Sequence, residues 1–332
     1  MTSSNPIRVG VVGAGNMGAD HVNTLHRWVS GAQVTYVADI DGRRAAEVAA
    51  GVPGARATDD AYALIAHPDV DAVVIASHDS THADLAIAAV RAGKAVMCEK
   101  PLAPTAAECV RVLREDGTHL VSLGFMRRFD PGYADLRAAL GSGTAGAPLL
   151  VHCVSRGVSS APGATDEFSV TGSAIHEFDT VPWLLGAPIT EVSWHAARPT
   201  SAVAGLRDPQ VMLLRTADGA LTTVETFLNA GYGYDVRCEV VGEHGTLALT
   251  DPARLVSDTA RTRATGYPAD WRPRFADAYR LELQAWTDAI AAGRPAPLAT
   301  AYDGLVAAAV AEAVIGSMHA DGRTVAVQVP EV

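Results

Sequence analysis

The sequence predicts two domains in tandem: an α/β domain on a parallel sheet, then an α+β domain on a mainly antiparallel sheet. Three observations predict this. The first third alternates short, uninterrupted apolar runs with alanine-rich helical stretches, as a parallel sheet covered on both faces requires. After Gly124 the strand-like runs are joined by tight turns such as Asp218-Gly219 and His244-Gly245, which bring neighbouring strands together antiparallel. The 332 residues exceed one ordinary core and suit two.

The elements follow in order. Apolar runs at 7–12, 34–38, 72–76, 95–99 and 121–124 are the expected strands of the first domain, with helices near 17–29, 43–50, 61–66, 82–92 and 106–114. Asp59-Asp60 and Ser80-Thr81 are expected N-caps, and Gly93 is an expected helix stop. In the second half a helix at 131–140 leads through a glycine-rich turn to a strand at 149–154. Strands at 211–215, 221–227, 236–241 and 246–250 come next; a helix at 302–318 and a strand at 325–329 close the chain. The boundary falls at residue 124, giving domains 1–124 and 125–332, with the helix at 302–318 expected to pack back on the first.

Composition removes several functional classes. A net charge of −11 with no basic run opposes nucleic-acid binding. The N-terminus has neither a cationic nor a long apolar segment, and 7–12 is too short to span a bilayer. A cytoplasmic protein without a membrane partner is expected. Its four cysteines are scattered, with no Cys-x-x-Cys or Cys/His cluster, so buried thiols are expected rather than zinc or a disulfide framework.

The expected cofactor site is specific. Gly13-Ala-Gly15-Asn16-Met17-Gly18 follows the first strand and opens the first helix, the context of a dinucleotide-binding Rossmann domain. Gly13 permits the tight turn, Gly15 lets backbone approach a pyrophosphate, and Gly18 packs helix on strand, while the helix N-terminus offers amide donors. Asp39 ends the second strand 21 residues beyond Gly18, close to the spacing of about 20 for an acid that binds a ribose 2′-hydroxyl. It favours NAD over NADP, although Arg43 and Arg44 stand close enough to meet a 2′-phosphate. A flavoprotein and a non-catalytic NAD sensor are the competing readings. The first is opposed by the absence of a second nucleotide fingerprint. The second predicts no acid–base group near the cofactor.

Lys100, in Glu99-Lys100-Pro101, sits at the end of the fifth strand, where open parallel sheets place their active sites. An ammonium there can bind a hydroxyl oxygen and stabilise a developing alkoxide. With Thr81-His82 and Ala92-Gly93-Lys94 upstream, this motif resembles the glucose-fructose oxidoreductase/inositol dehydrogenase/rhizopine-catabolism (Gfo/Idh/MocA) superfamily. The likeness continues through Gly124-Phe-Met-Arg-Arg-Phe-Asp-Pro131, Ala174-Ile-His-Glu-Phe-Asp179, Gly231-Tyr-Gly-Tyr-Asp235 and Trp271. It is strongest toward the inositol 2-dehydrogenase branch. The resemblance implies a Rossmann domain followed by an α+β domain with a large open, mainly antiparallel sheet, assembled as a homotetramer or homodimer. It implies oxidation of a secondary alcohol on a cyclitol or sugar, or the reverse reduction. Lys100 would position the hydroxyl, and His176 would take its proton. Glu99 would face the nicotinamide, with Asn16, Met17, Ser77, His78 and His82 as further cofactor contacts. Arg127, Arg156, Gly172, Ser173 and Tyr234 would shape the pocket for a small polyhydroxylated substrate.

His176 is also chosen on chemistry, because imidazole exchanges a proton near neutral pH. Asp179, three residues later on the same helix face, is placed to orient the ring. No metal is expected, since proton acceptor and oxyanion stabiliser are both side chains. One position departs from the family: inositol dehydrogenases carry an aspartate four residues before the histidine, and here that residue is Gly172. Ser173, Asp166 or Glu167 are the available substitutes. Otherwise the space suits an aminocyclitol, inosose or modified sugar, and a third reading is a weak or inactive NAD-binding paralogue.

Overall fold

The computed structural model describes residues 5–250 and 255–332. Two units emerge. The first takes the chain up to Phe129, with Asp277–Ala308 and Val329–Val332; the second takes Asp130–Ala276 and Ala309–Gln328. Sequence reading places the boundary at 124 and leaves everything later in the second domain.

In the first unit, β1 (Ile7–Val12), β2 (Ala32–Ala38), β3 (Arg56–Thr58), β4 (Ala72–Ile75), β5 (Ala95–Cys98) and β6 (Val121–Leu123) form a parallel sheet in the order β6-β5-β4-β1-β2-β3. Val9, Val11, Val73, Val74 and Met97 are fully buried because helices cover both faces, which explains apolar runs without alternation. The short edge strand β3 was beyond periodicity: Arg56-Ala-Thr58 carries no apolar pattern. Residues Ala299–Thr300 add an antiparallel strand to β6, a pairing with no local signal.

Helix starts follow side-chain chemistry. The Asp41 and Asp60 carboxylates accept from Arg43 N and Ala63 N, and Thr105 Oγ1 accepts from Glu108 N. Thr81 does not cap as expected; its hydroxyl donates to the His78 carbonyl within a 3₁₀ turn, Asp79–Thr81, ahead of the helix His82–Arg91. Gly93, at φ +69°, ends that helix as predicted.

In the second unit β7 (Pro148–Arg156), β8 (Ile189–Ala196), β9 (Gln210–Thr216), β10 (Leu221–Phe227), β11 (Asp235–Gly242) and β12 (Gly245–Ala248) build a sheet in the order β12-β11-β7-β10-β9-β8, completed by Val325–Ala326 on β8. Only the β7–β10 pair in this sheet is parallel. Residues alternate strictly: Val151, Cys153, Ser155, Thr222, Val224, Met212 and Leu214 are buried, while Leu150, Val154, Leu213 and Leu221 lie on the opposite, partly exposed face. The helix Ala301–His319 is long and apolar enough to cross a membrane by length and composition, yet 67% of its apolar window is buried in the protein. Its first turn belongs to the parallel-sheet unit, where a Cβ at Gly304 would lie 2.9 Å from Leu102.

Candidate active site

The carboxyl ends of β1, β2, β4 and β5 carry the candidate residues of the first unit. Gly13 takes φ +94°, its amide donates to the Ala38 carbonyl at 2.7 Å, and a Cβ there would lie 2.4 Å from the Ala76 carbonyl oxygen. A Cβ on Gly18 would stand 1.8 Å from the Gly13 carbonyl oxygen. Gly15 differs: nothing lies within 4 Å of its would-be Cβ. Gly13 and Gly18 are therefore demanded by the protein's own backbone, while Gly15 leaves an open approach. Asn16 is exposed at the mouth of that approach, and Met17 is half-buried. No side chain caps the helix that starts there, Asn16–Trp28, so its end presents amides and positive dipole. These features fit a dinucleotide pyrophosphate.

Asp39 holds this loop from the second strand. Its Oδ2 accepts from Ala14 N at 2.8 Å and its Oδ1 from Asp41 N at 2.9 Å, with Arg44 3.7 Å away. Arg43 pairs loosely with Asp41. Each carboxylate oxygen retains acceptor capacity for a ribose hydroxyl.

After β4, Ser77 Oγ lies 2.7 Å from Thr81 Oγ1, and His78 is exposed with Nδ1 beside Ser80 Oγ. His82, expected to touch the cofactor, is buried instead. Its Nδ1 is 2.7 Å from the Pro101 carbonyl oxygen and its Nε2 3.1 Å from that of Ser77. The ring ties the loop after β4 to the loop after β5, so any influence on a ligand passes through those loops. Lys100 is half-buried at the end of β5. Beneath it, Glu99 is buried, accepts from Lys100 N at 3.3 Å and pairs with His21 Nε2 at 2.7 Å. Burial pushes the Glu99 carboxyl up, but the hydrogen bond and charge of His21, with the charges of Lys100 and His82, outweigh it and hold it below the usual range. Arg127 is buried in the turn Met126–Phe129.

The second unit presents His176, buried at the start of the helix Ile175–Leu185. A widened π turn, Ser169–Ala174, feeds that helix and carries Gly172 and Ser173. A Cβ on Gly172 would meet the Phe168 ring at 2.8 Å, so an aromatic ring covers this position. Glu177 is fully buried and accepts from Ser155 Oγ at 2.7 Å; Asp179 is buried one turn beyond His176.

Asp166 and Glu167, the expected substitutes for an aspartate at Gly172, both have other partners. Asp166 accepts from Arg207 N and Arg207 Nε, at 2.7 and 2.6 Å, and Glu167 pairs with His319. Arg156, expected in the substrate pocket, is engaged with other side chains. Ser155 points to the Glu177 side of β7, so Arg156 projects from the opposite face. There it makes a bidentate pair with Glu225 at 2.6 and 3.0 Å and donates to Tyr232, contacts that raise its pKa further. Tyr234 is half-buried, edge-on to Phe275, and lines a cleft of about 280 Å³ with Arg237, Tyr267 and Arg274; His176 is not among that cleft's residues.

His21 and Phe168 escaped sequence reasoning. His21 had a signal, a polar residue three positions after Gly18 on the face that packs against the sheet. Phe168 had none.

The profile of an oxidoreductase family with an NAD-binding Rossmann fold, GFO/IDH/MocA, matches residues 7–121, and that of the GFO/IDH/MocA C-terminal domain matches 133–248. The chain belongs to the GFO/IDH/MocA oxidoreductase family. Inositol 2-dehydrogenase 2 of Paenarthrobacter aurescens is 57% identical over 327 residues, 96% of this chain and 98% of that protein. Inositol 2-dehydrogenase 1 of Saccharopolyspora erythraea is 48% identical, covering 98% of this chain and 97% of its own. Among solved structures, myo-inositol dehydrogenase from Lactobacillus casei in complex with NAD(H) and myo-inositol superposes with a TM-score of 0.93, at 32% identity and 98% coverage of both chains. Within this family the two-sheet architecture expected from the sequence is the observed one.

Proposed function

We propose that this family member is an NAD-dependent dehydrogenase that oxidises a secondary hydroxyl of a myo-inositol-like cyclitol to a ketone, and catalyses the reverse reduction. The observation that carries the reading is Lys100 at the carboxyl end of β5, on a buried Glu99 carboxylate, together with His176 at a helix start in a chain 57% identical to an inositol 2-dehydrogenase. NAD, when bound, supplies the hydride acceptor. Gly13, Gly15 and Gly18 hold its pyrophosphate and Asp39 its adenosine ribose, whose 2′-phosphate counterpart in NADP the carboxylate repels. The Lys100 ammonium holds the reacting oxygen and stabilises the alkoxide as it forms. His176 accepts the hydroxyl proton and returns it in reduction. In this reading Arg127 and Tyr234 contact the substrate, and the Phe168 ring forms a wall over Gly172. That wall favours assaying aminocyclitols, inososes and modified sugars beside myo-inositol.

We also infer a cytoplasmic homo-oligomer, tetramer or dimer. Supporting this, the second sheet presents Leu150, Val154, Leu213, Leu221 and Phe227, all at least partly exposed, on one face, and all four cysteines are buried and unbridged.

The test is nicotinamide absorbance with a substrate panel and both NAD and NADP. Turnover of a cyclitol with NAD is expected, with Lys100→Met and His176→Ala losing at least a hundredfold in kcat while NADH binding persists. Full turnover in either variant would remove that residue from the mechanism; NADH binding without turnover of any substrate would refute the function.

A further inference from the structure

His21 takes no part in the chemistry above, yet it is completely buried on the first helix, against the carboxylate that underlies Lys100. Its only hydrogen bond among the described residues is to Glu99; Nδ1 is buried without a partner. An ionised carboxylate cannot donate, so His21 Nε2 carries the proton of this 2.7 Å bond. The other Glu99 oxygen accepts from the Lys100 amide. Two further features fix the pair. Gly124 gives the carboxylate room, since a Cβ there would stand 3.2 Å from Glu99 Cδ, and Tyr279 sets its ring edge-on to the imidazole at 5.8 Å. A buried carboxylate costs stability unless hydrogen bonds replace its lost water, and the imidazole supplies one of them.

We propose that His21 is a positioning residue for Lys100, orienting the Glu99 carboxylate that in turn holds the strand-end turn carrying the lysine. The proposal rests on Lys100 acting as described above. The groups facing Glu99 are His21 from the first helix, His82 from the fourth and Lys100 beside it; Cys98 precedes it. Lys100 hydrogen-bonds the carboxylate through its main-chain amide and His21 through its side chain. Removing that donor leaves burial to act on Glu99, whose carboxyl then protonates at higher pH, withdrawing the negative charge next to Lys100.

The experiment compares His21→Leu, His21→Asn and His21→Gln in the full chain, reading kcat and KM for myo-inositol across pH, with NADH fluorescence titration as a fold and cofactor control. Leu and Asn, which cannot reach Glu99 with a donor, should lower kcat about tenfold at neutral pH and move the acid limb of kcat up by about one pH unit. KM for NAD should change little. Gln, whose amide reaches as far as Nε2, should restore most of kcat and return the limb. Should Leu fail to fold, Asn and Gln decide between them. An unshifted limb in a folded Leu or Asn variant, or a Gln variant no better than Asn, overturns the proposal. If Lys100→Met keeps full turnover, the site reading itself fails, whatever the His21 variants do.

Discussion

Replacing Gly15 and Gly18 by alanine separates what the fold demands from what a nucleotide demands. At Gly18 the new Cβ would lie 1.8 Å from the Gly13 carbonyl oxygen, far below any carbon–oxygen contact, and that oxygen is main chain in a turn already held at φ +94°. Loop and helix must part by about 1 Å in a close-packed interior, an overpacking cost of about 3 kcal/mol. In a unit of this size that lowers Tm by roughly 6–12 °C. At Gly15 the would-be Cβ meets nothing within 4 Å, and φ is −70°, which alanine adopts freely. Gly15→Ala should therefore keep Tm within about 2 °C, with any change upward from the less flexible unfolded chain. A methyl there obstructs the pyrophosphate, so NADH affinity should fall at least tenfold, about 1.4 kcal/mol. Thermal melts of both variants without cofactor, followed by NADH titration, check this. A Gly15→Ala protein that binds NADH as tightly as the unaltered one would refute the assignment of the open approach to the pyrophosphate. An unchanged Tm in Gly18→Ala would refute the packing argument.

Three further outcomes are expected. Gly172→Asp forces the Phe168 ring, already partly exposed, to swing out; the cost should be about 1 kcal/mol, and Phe168→Ala in the same chain should recover most of it, measured as a double-mutant cycle in urea. Arg156→Met should leave KM for the cyclitol unchanged while costing about 1–3 kcal/mol, because its bonds are to Glu225 and Tyr232; a raised KM without loss of stability would reverse that reading. Burial alone would push the Asp235 carboxyl up, but hydrogen bonds from Arg237 and Tyr232 outweigh it and hold it low. Its stabilising contribution is thus complete above the ordinary carboxylate pKa of about 3.9 and disappears as pH falls through the lower folded value. Asp235→Asn should flatten that acid limb in a series of melts from pH 6 to about pH 2.

Legibility followed the range of the physics. The glycine loop was readable because Gly13 and Gly18 respond to backbone a few residues away, and the strand cores because burial on both faces leaves unbroken apolar runs. The proposal for Lys100 and His176 comes from their motifs. The partners of Arg156, Asp166 and Glu167 were not legible, because sequence shows a charge but not what it meets. Arg156 meets Glu225 across the β7–β10 pair, Asp166 meets Arg207 and Glu167 meets His319. The surroundings of His82 were hidden for the same reason, its two nitrogens facing main-chain carbonyls after β4 and β5.

By itself the sequence determined the class of this protein: a Rossmann start, an acid at the end of the second strand, and a lysine and histidine suited to alcohol oxidation. Those follow from local spacing and from the conformations that residue types permit. Tertiary structure alone decided which charges remain for a ligand. A hydrogen bond such as His21 to Glu99 spans 78 positions and exists only once the parallel sheet has brought the first helix beneath the fifth strand. The fold also put the Phe168 ring over Gly172, through a π turn whose widening no residue pattern announces.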